Sequence, residues 1–147
     1  VQRRMTKIFE KNDNEFYDDY AHHPTEIFSV LEGIKKVANN KKITSVFQPH
    51  RFSRVNSLKK EFSKSFKFSD RVVLCPVYAA GEKKTKSFDL IKFGRMISAN
   101  SNVNVIIVKD EEKLKNFFKK NLIKNEIIIG MGAGTISNWI RNLKQSL

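Results

Sequence analysis

Asp18-Asp19-Tyr20-Ala21-His22-His23-Pro24-Thr25-Glu26 packs carboxylates, a phenol and two imidazoles into the junction between a strand-like run and a helical pattern. Upstream, Glu15-Phe16-Tyr17 reads as strand. Downstream, Pro24 stands where proline is favoured, in the first turn of a helix whose early N–H groups have no intrahelical partner. The polar residues therefore sit at the C-terminal end of a strand, facing a helix N-terminus. In open α/β sheets that edge is where ligands bind, and exposed amides there favour anionic groups. An ordinary capped loop is the competing reading.

Outward from this junction the same unit repeats. Met5 to Glu10 and Glu15 to Asp19 flank the turn-forming Lys11-Asn12-Asp13-Asn14, so the chain is expected to open with an antiparallel hairpin. From Pro24 to about Asn39, Ile27, Val30, Leu31, Ile34, Val37 and Ala38 recur at helical spacing. Ile43 to Gln48 is a strand ending in Gln48-Pro49-His50-Arg51-Phe52-Ser53-Arg54, and a helix follows with Val55, Leu58, Phe62 and Phe66 on its inner face. Arg71 to Cys75 is a further strand, opening into Pro76-Val77-Tyr78-Ala79-Ala80-Gly81-Glu82. The next helix is expected to be capped by Ser87, with Phe88, Ile91 and Ile97 inward and Gly94 tolerated inside it.

Val103 to Val108 is a strand, and Asp110 caps a helix bearing Leu114, Phe117 and Phe118. Glu126 to Ile129 then enters Gly130-Met131-Gly132-Ala133-Gly134, and Thr135 begins a last helix that buries Ile136, Trp139, Ile140 and Leu143. Strands alternating with helices after a hairpin predict an α/β fold, a mostly parallel sheet of about six strands with helices on both faces and right-handed crossovers. The strand ends at 19–26, 48–54 and 130–135 then share one edge, with the Tyr78 to Glu82 loop as a fourth contributor. A ligand crevice along that edge is the economical expectation.

At 147 residues the chain has the size of one domain with one core. It starts at Val1 without an initiator Met, and 1–147 is expected to be a fragment of a longer protein. No apolar run approaches a membrane span and there is no signal-peptide pattern, so the expected compartment is the cytoplasm. Cys75 is the single cysteine, which rules out a disulfide framework and a multi-cysteine zinc site. The net charge of +13 would suit nucleic acid or an acidic membrane. However, 21 of the 28 basic residues are Lys, scattered in pairs over predicted helix faces, with no nucleic-acid recognition motif beside them. No specific nucleic-acid partner and no membrane partner is expected.

Each cluster admits its own chemistry. His22, His23 and His50 suggest a metal, but neighbouring histidines in a turn tend to point apart and no carboxylate spacing completes a zinc motif; no metal ligand is assigned. Arg51 and Arg54 follow a strand and precede a helix, so their guanidinium forks can be held near one carboxylate or phosphate. A solvated arginine pair is the alternative. The run from Gly130 to Gly134 lacks the full dinucleotide spacing and the downstream acid, and reads as a tight strand-to-helix turn with close backbone packing.

Taken together, Asp19-Tyr20-Ala21-His22-His23-Pro24-Thr25-Glu26, Phe47-Gln48-Pro49-His50-Arg51-Phe52-Ser53-Arg54, Val77-Tyr78-Ala79-Ala80-Gly81-Glu82 and Gly132-Ala133-Gly134 resemble the C-terminal domain of the Mur ligases. Within that family the likeness is to the branch that joins L-alanine to UDP-N-acetylmuramate at the start of the peptidoglycan stem peptide. It covers essentially the whole chain. The resemblance implies a Rossmann-like three-layer sandwich that closes over a central ATPase domain. The phosphate loop of that domain and the N-terminal domain that holds the UDP-sugar are missing from this sequence.

The resemblance also implies the chemistry: ATP and Mg, the latter held mainly by the central domain, activate the muramate carboxylate as an acyl phosphate, and L-alanine's amine displaces phosphate. Asp19 with Arg4 then resembles the pair on the ribose and adenine side of ATP. Tyr20, His22, Arg51 and Arg54 resemble the amino-acid site, and His22, His50, Arg51 and Arg54 the catalytic group. Ala21 stands where many relatives carry Gly. The alternatives are a murein-peptide recycling ligase of the same family, or a nucleotide- or anion-binding module without catalysis. The isolated domain is expected to be inactive.

Overall fold

Asn12 and Asp13 both adopt left-handed backbone, φ 53° and 67°, which is the geometry a two-residue hairpin turn needs to match strand twist. They join β1 (Thr6–Lys11) to β2 (Asn14–Asp19) in antiparallel register, Lys11 opposite Asn14, with an irregularity between Lys7 and Phe9. The computed structural model describes residues 4–84 and 88–147. Beyond the hairpin come α1 (Pro24–Val37), β3 (Lys42–Phe47), α2 (Phe52–Ser57), α3 (Lys59–Ser63), β4 (Arg71–Leu74), α4 (Leu90–Ser101), β5 (Asn104–Ile107), α5 (Glu111–Asn121), β6 (Glu126–Met131) and α6 (Ile136–Ser146).

The six strands lie in the order β1-β2-β6-β3-β4-β5, and every pair except β1 with β2 is parallel. Handedness then decides which helix covers which face. The steps β2 to β3, β3 to β4 and β4 to β5 all run the same way along the sheet, so right-handed crossovers put α1 to α4 on one face. The step β5 to β6 runs back, which sends α5 to the other face, where α6 joins it. Two cores result. One gathers Ile27, Leu31, Phe62, Phe93 and Ile97 against Ile43, Ile127 and Ile129; the other gathers Leu114, Phe118, Ile136 and Ile140 against Phe16, Val46, Val73 and Ile128. The alternation of Ile127, Ile128 and Ile129 between them is the two-residue period of a strand buried on both faces. No helix among the described residues is long and apolar enough to cross a membrane.

The three-layer α/β architecture expected from the alternation is what forms, with local corrections. The helix predicted after Arg54 is two pieces, because Leu58 leaves helical geometry at φ −119°, ψ 22°. Phe66 lies in the turn beyond α3 and is nonetheless fully buried. The expected cap Ser87 falls outside the described residues; Asp89 occupies the N-cap of α4 and accepts a hydrogen bond from the Lys92 amide at 3.1 Å. Ile91, expected inward, is 58% exposed, because the buried stripe of that helix runs through Phe93 and Ile97. Trp139 is only partly buried.

At the N-terminal edge of the sheet the first residues of β4 and β6 form a buried ion pair. Glu126 is fully buried and receives Arg71 Nη2 at 2.8 Å and Nε at 3.1 Å, the Thr44 hydroxyl, and the Ile123 amide at 3.0 Å. Arg71 also donates to the Asn121 carbonyl at 2.8 Å and stacks over Phe117 at 5.0 Å. On the α6 side, buried Asp18 accepts from Ser137 Oγ at 2.7 Å. The carboxylates in these strands are thus paired or hydrogen-bonded, as burial of charge requires.

Candidate active site

The polar clusters singled out from sequence gather at the C-terminal edge of β2, β3, β4 and β6. β3–β4 pairing resumes past the strands: the Tyr78 amide donates to the Pro49 carbonyl and the Arg51 amide to the Tyr78 carbonyl, both at 2.8 Å, in an isolated parallel bridge between His50 and Tyr78. This brings the loop after β4 against the Gln48–Arg54 cluster. His50 stacks on Tyr78 with ring centroids 5.6 Å apart and lies 5.8 Å from His22, whose ring in turn meets Tyr20 edge-on at 5.0 Å. His22, His50, Tyr20, Arg51 and Arg54 therefore occupy one edge, from two different strand ends.

The two histidines are fixed as opposite tautomers. His22 Nδ1 lies 2.9 Å from the Tyr20 carbonyl, an acceptor only, so that nitrogen holds the proton and a neutral ring presents a lone pair at Nε2. His50 Nδ1 lies 3.1 Å from Arg54 Nη1, a donor only, so it accepts and the neutral ring carries its proton at Nε2. Side by side, the pair offers one acceptor and one donor.

Burial, followed by the charges of Arg54, His22 and Arg51, lowers the His50 pKa below its ordinary 6.5. The ring consequently binds fewer protons folded than unfolded between its depressed value and 6.5, and its contribution to stability is lost as pH falls through that window. A proton NMR titration should place His50 below 6.5, with Arg54→Ala moving it back up; a midpoint at or above 6.5 would contradict this arrangement.

Arg51 has φ 70° and ψ 128°, a conformation that costs about 1–3 kcal/mol for a residue with a side chain and persists only where neighbours enforce it. Asp19 is 4% exposed and accepts hydrogen bonds from the Met5 amide at 2.9 Å and the Ala21 amide at 2.8 Å. Burial raises its pKa in spite of those bonds and of the charge of Arg4. Arg4, Asp19, Tyr20, Glu26 and Ser29 are among the residues that line a cavity of about 410 Å³.

Helix N-termini at this edge were expected to offer amides to an anion. In the structure protein oxygens take several of the amides at these turns. Glu26 Oε1 accepts from the amides of His22 and His23, each at 3.1 Å, in the manner of a capping box at the start of α1. Burial would raise its pKa, but those two bonds and the nearby imidazoles leave it lowered. Glu82 accepts from the Ser53 amide at 3.2 Å at the start of α2, and Gln48 Oε1 from the Ile136 amide at 3.1 Å at the start of α6.

Glu26, Gln48, Tyr78 and Glu82 are the positioning residues that had no assigned role from sequence. Glu26 carries a signal, standing three residues into a helix after a polar turn. Gln48 is a polar residue closing an apolar strand; its Nε2 also donates to Thr135 Oγ1 at 2.9 Å, tying β3 to the glycine turn after β6. That turn is closely packed, as expected. A Cβ on Gly130 would lie 2.5 Å from Ile140 Cγ1, and one on Gly134 2.5 Å from Tyr78 Cγ. Among the described residues no three His, Cys, Asp or Glu side chains gather as a metal site.

Residues 3–134 match the family described as Mur ligase, glutamate ligase domain. The chain is 50% identical over 145 residues to the UDP-N-acetylmuramate–L-alanine ligase of Pelagibacter ubique, covering 99% of this chain and 31% of that protein. Against the ligase of the same name from a Hydrogenobaculum species the identity is 40%, covering 95% and 30%. The crystal structure of UDP-N-acetylmuramate-alanine ligase from Thermotoga maritima superposes with a TM-score of 0.78 at 26% identity, over 99% of this chain and 30% of that one. A murein peptide ligase from Psychrobacter arcticus superposes at 0.75 with 19% identity, over 98% and 29%, a likeness of fold alone. The chain spans about a third of the length of these relatives.

Proposed function

The chain belongs to the Mur ligase, glutamate ligase domain, family, and from that premise we propose that it serves as the C-terminal domain of an ATP-dependent ligase adding L-alanine to UDP-N-acetylmuramate. The UDP-sugar and ATPase domains lie in the remaining two thirds of such a protein. The observation that carries this reading is the gathering of Tyr20, His22, His50, Arg51 and Arg54 at one sheet edge, with no protein nucleophile among them, in a sequence so close to alanine ligases.

In the proposed reaction the muramate carboxylate is activated as an acyl phosphate at the expense of ATP. The amine nitrogen of L-alanine then forms a bond to the acyl carbon, the carbon–oxygen bond to phosphate breaks, and an amine proton must leave. Arg51 and Arg54 hold the alanine carboxylate through charge-assisted hydrogen bonds. His22, with its Nε2 lone pair facing outward from the Tyr20 hydrogen bond, takes the amine proton; His50 Nε2–H donates to a substrate oxygen. Arg4 and Asp19, sharing one cavity, meet the ribose and adenine side of ATP. A divalent cation would neutralise phosphate charge when bound, and among the described residues no site for one assembles, so its ligands would come from the other domains. Positioning and charge stabilisation carry the rate.

The 147-residue chain alone, given ATP, UDP-N-acetylmuramate and L-alanine, should release no phosphate, whereas a longer protein carrying it should release phosphate and form the alanyl product. Turnover by the isolated chain, or a longer protein that uses a peptide in preference to L-alanine, would overturn the reading.

A further inference from the structure

We propose that Glu82 and Ser53 form a clasp that positions Arg51 for its carboxylate substrate, making Glu82 a positioning residue for amino-acid recognition. This rests on the amino-acid site assigned above. Two residues with side chains stand in left-handed backbone on facing loops, Arg51 at φ 70° and Ala80 at φ 53°, and such conformations hold only where surrounding structure enforces them. The loop after β4 supplies that enforcement to Arg51. Its Tyr78 carbonyl takes the Arg51 amide at 2.8 Å, and it then turns through Ala80 and Gly81, closing with a Glu82 amide to Ala79 carbonyl bond at 3.0 Å. The turn delivers the Glu82 carboxylate to α2, where it accepts from the Ser53 amide at 3.2 Å and the Ser53 hydroxyl at 2.5 Å. Arg51 is therefore bracketed by loop contacts on both of its sides.

The Arg51 charge acts on Glu82, whose pKa is lowered first by the Ser53 hydroxyl. Glu82 sits 29 residues from Ser53 in sequence and does not line the cavity that holds Arg4 and Asp19, so the clasp acts on the amino-acid side of the edge. Opening it leaves the fold standing and lets Arg51 relax from its strained pose.

In the full-length ligase, Glu82→Ala and Ser53→Ala should each raise KM for L-alanine by about three- to tenfold, with kcat and KM for ATP changed less than about twofold. The double variant should be no worse than either single one, and Glu82→Gln, which keeps an acceptor, should recover part of the loss. Additive losses, or a fall in kcat with KM for alanine unchanged, would overturn the proposal. A second arm is independent of ligase activity. In the 147-residue chain, either variant should speed amide hydrogen exchange at Arg51 and Tyr78 while the melting temperature stays within about 2 °C. Unchanged exchange there would remove the clasp even if the ligase assignment stood; an inactive full-length wild type with faster exchange in the variants would instead remove the ligase assignment and leave the clasp.

Discussion

Arg71→Ala lowers the stability of the fold by about 3–5 kcal/mol, a fall in melting temperature on the order of 10 °C for a chain of this size. Its partner Glu126 is fully buried, and Arg71 supplies two of the donors to Glu126 Oε2, at 2.8 and 3.1 Å. Without Arg71 the Thr44 hydroxyl and the Ile123 amide remain, but neither brings a positive charge to a carboxylate that water cannot reach. The Asn121 carbonyl and the Phe117 ring lose their cation as well. Replacing both ends of the pair, as Arg71→Met with Glu126→Leu, should restore most of the loss, since what destabilises is the orphaned charge and not the absence of a bridge. Urea denaturation of the two variants beside the parent chain measures this. A loss under about 1 kcal/mol for Arg71→Ala would show that the pair is far better solvated than its burial indicates.

Arg51→Lys in the full-length ligase keeps the charge and loses the planar fork, and kcat/KM for L-alanine should fall about ten- to a hundredfold with little effect on the use of ATP. Arg51→Gly separates the side chain from its backbone. Glycine adopts a positive φ without a steric penalty, so stability should hold or rise by up to about 1–2 kcal/mol while use of L-alanine collapses further. Asp19→Asn should show the opposite preference, affecting ATP first. Because both Asp19 oxygens accept backbone amides, an asparagine NH2 group must also face one of those amides, and the variant should melt lower. Steady-state kinetics in both substrates, with thermal melts beside them, distinguish the two effects. Equal losses on both substrates, or none, would remove the site assignment.

Residue pattern reveals the layers and the polar edge because both follow from local signals: helical spacing in Ile27, Leu31 and Ile34, the β-branched run Ile127 to Ile129, and polar clusters directly after strands. It does not reveal what depends on pairing across distance. Nothing local to Leu58 announces a break between α2 and α3. Ile91 has the hydrophobicity of a core residue but sits out of phase with Phe93 and Ile97. The hydrogen bonds at the starts of α2 and α6 depend on Glu82 and Gln48 reaching residues 29 and 88 positions away, which no window of sequence contains. The histidine tautomers likewise rest on a carbonyl and a guanidinium whose approach only the folded edge determines.

β6 pairs with β2 on one side and β3 on the other, so the middle of the sheet is also the last of these six strands to be synthesised. Until residues 126–131 emerge, β2 and β3 have no common neighbour, and the hairpin and the β3–β4–β5 segment are two half-sheets with apolar facing edges. A nascent chain of this domain therefore spends most of its synthesis in a state that resembles an exposed-edge aggregation hazard. Its closing contacts are long-range ones, which places it among the slower-folding topologies and makes the emergence of β6 the event that commits this domain to its native state.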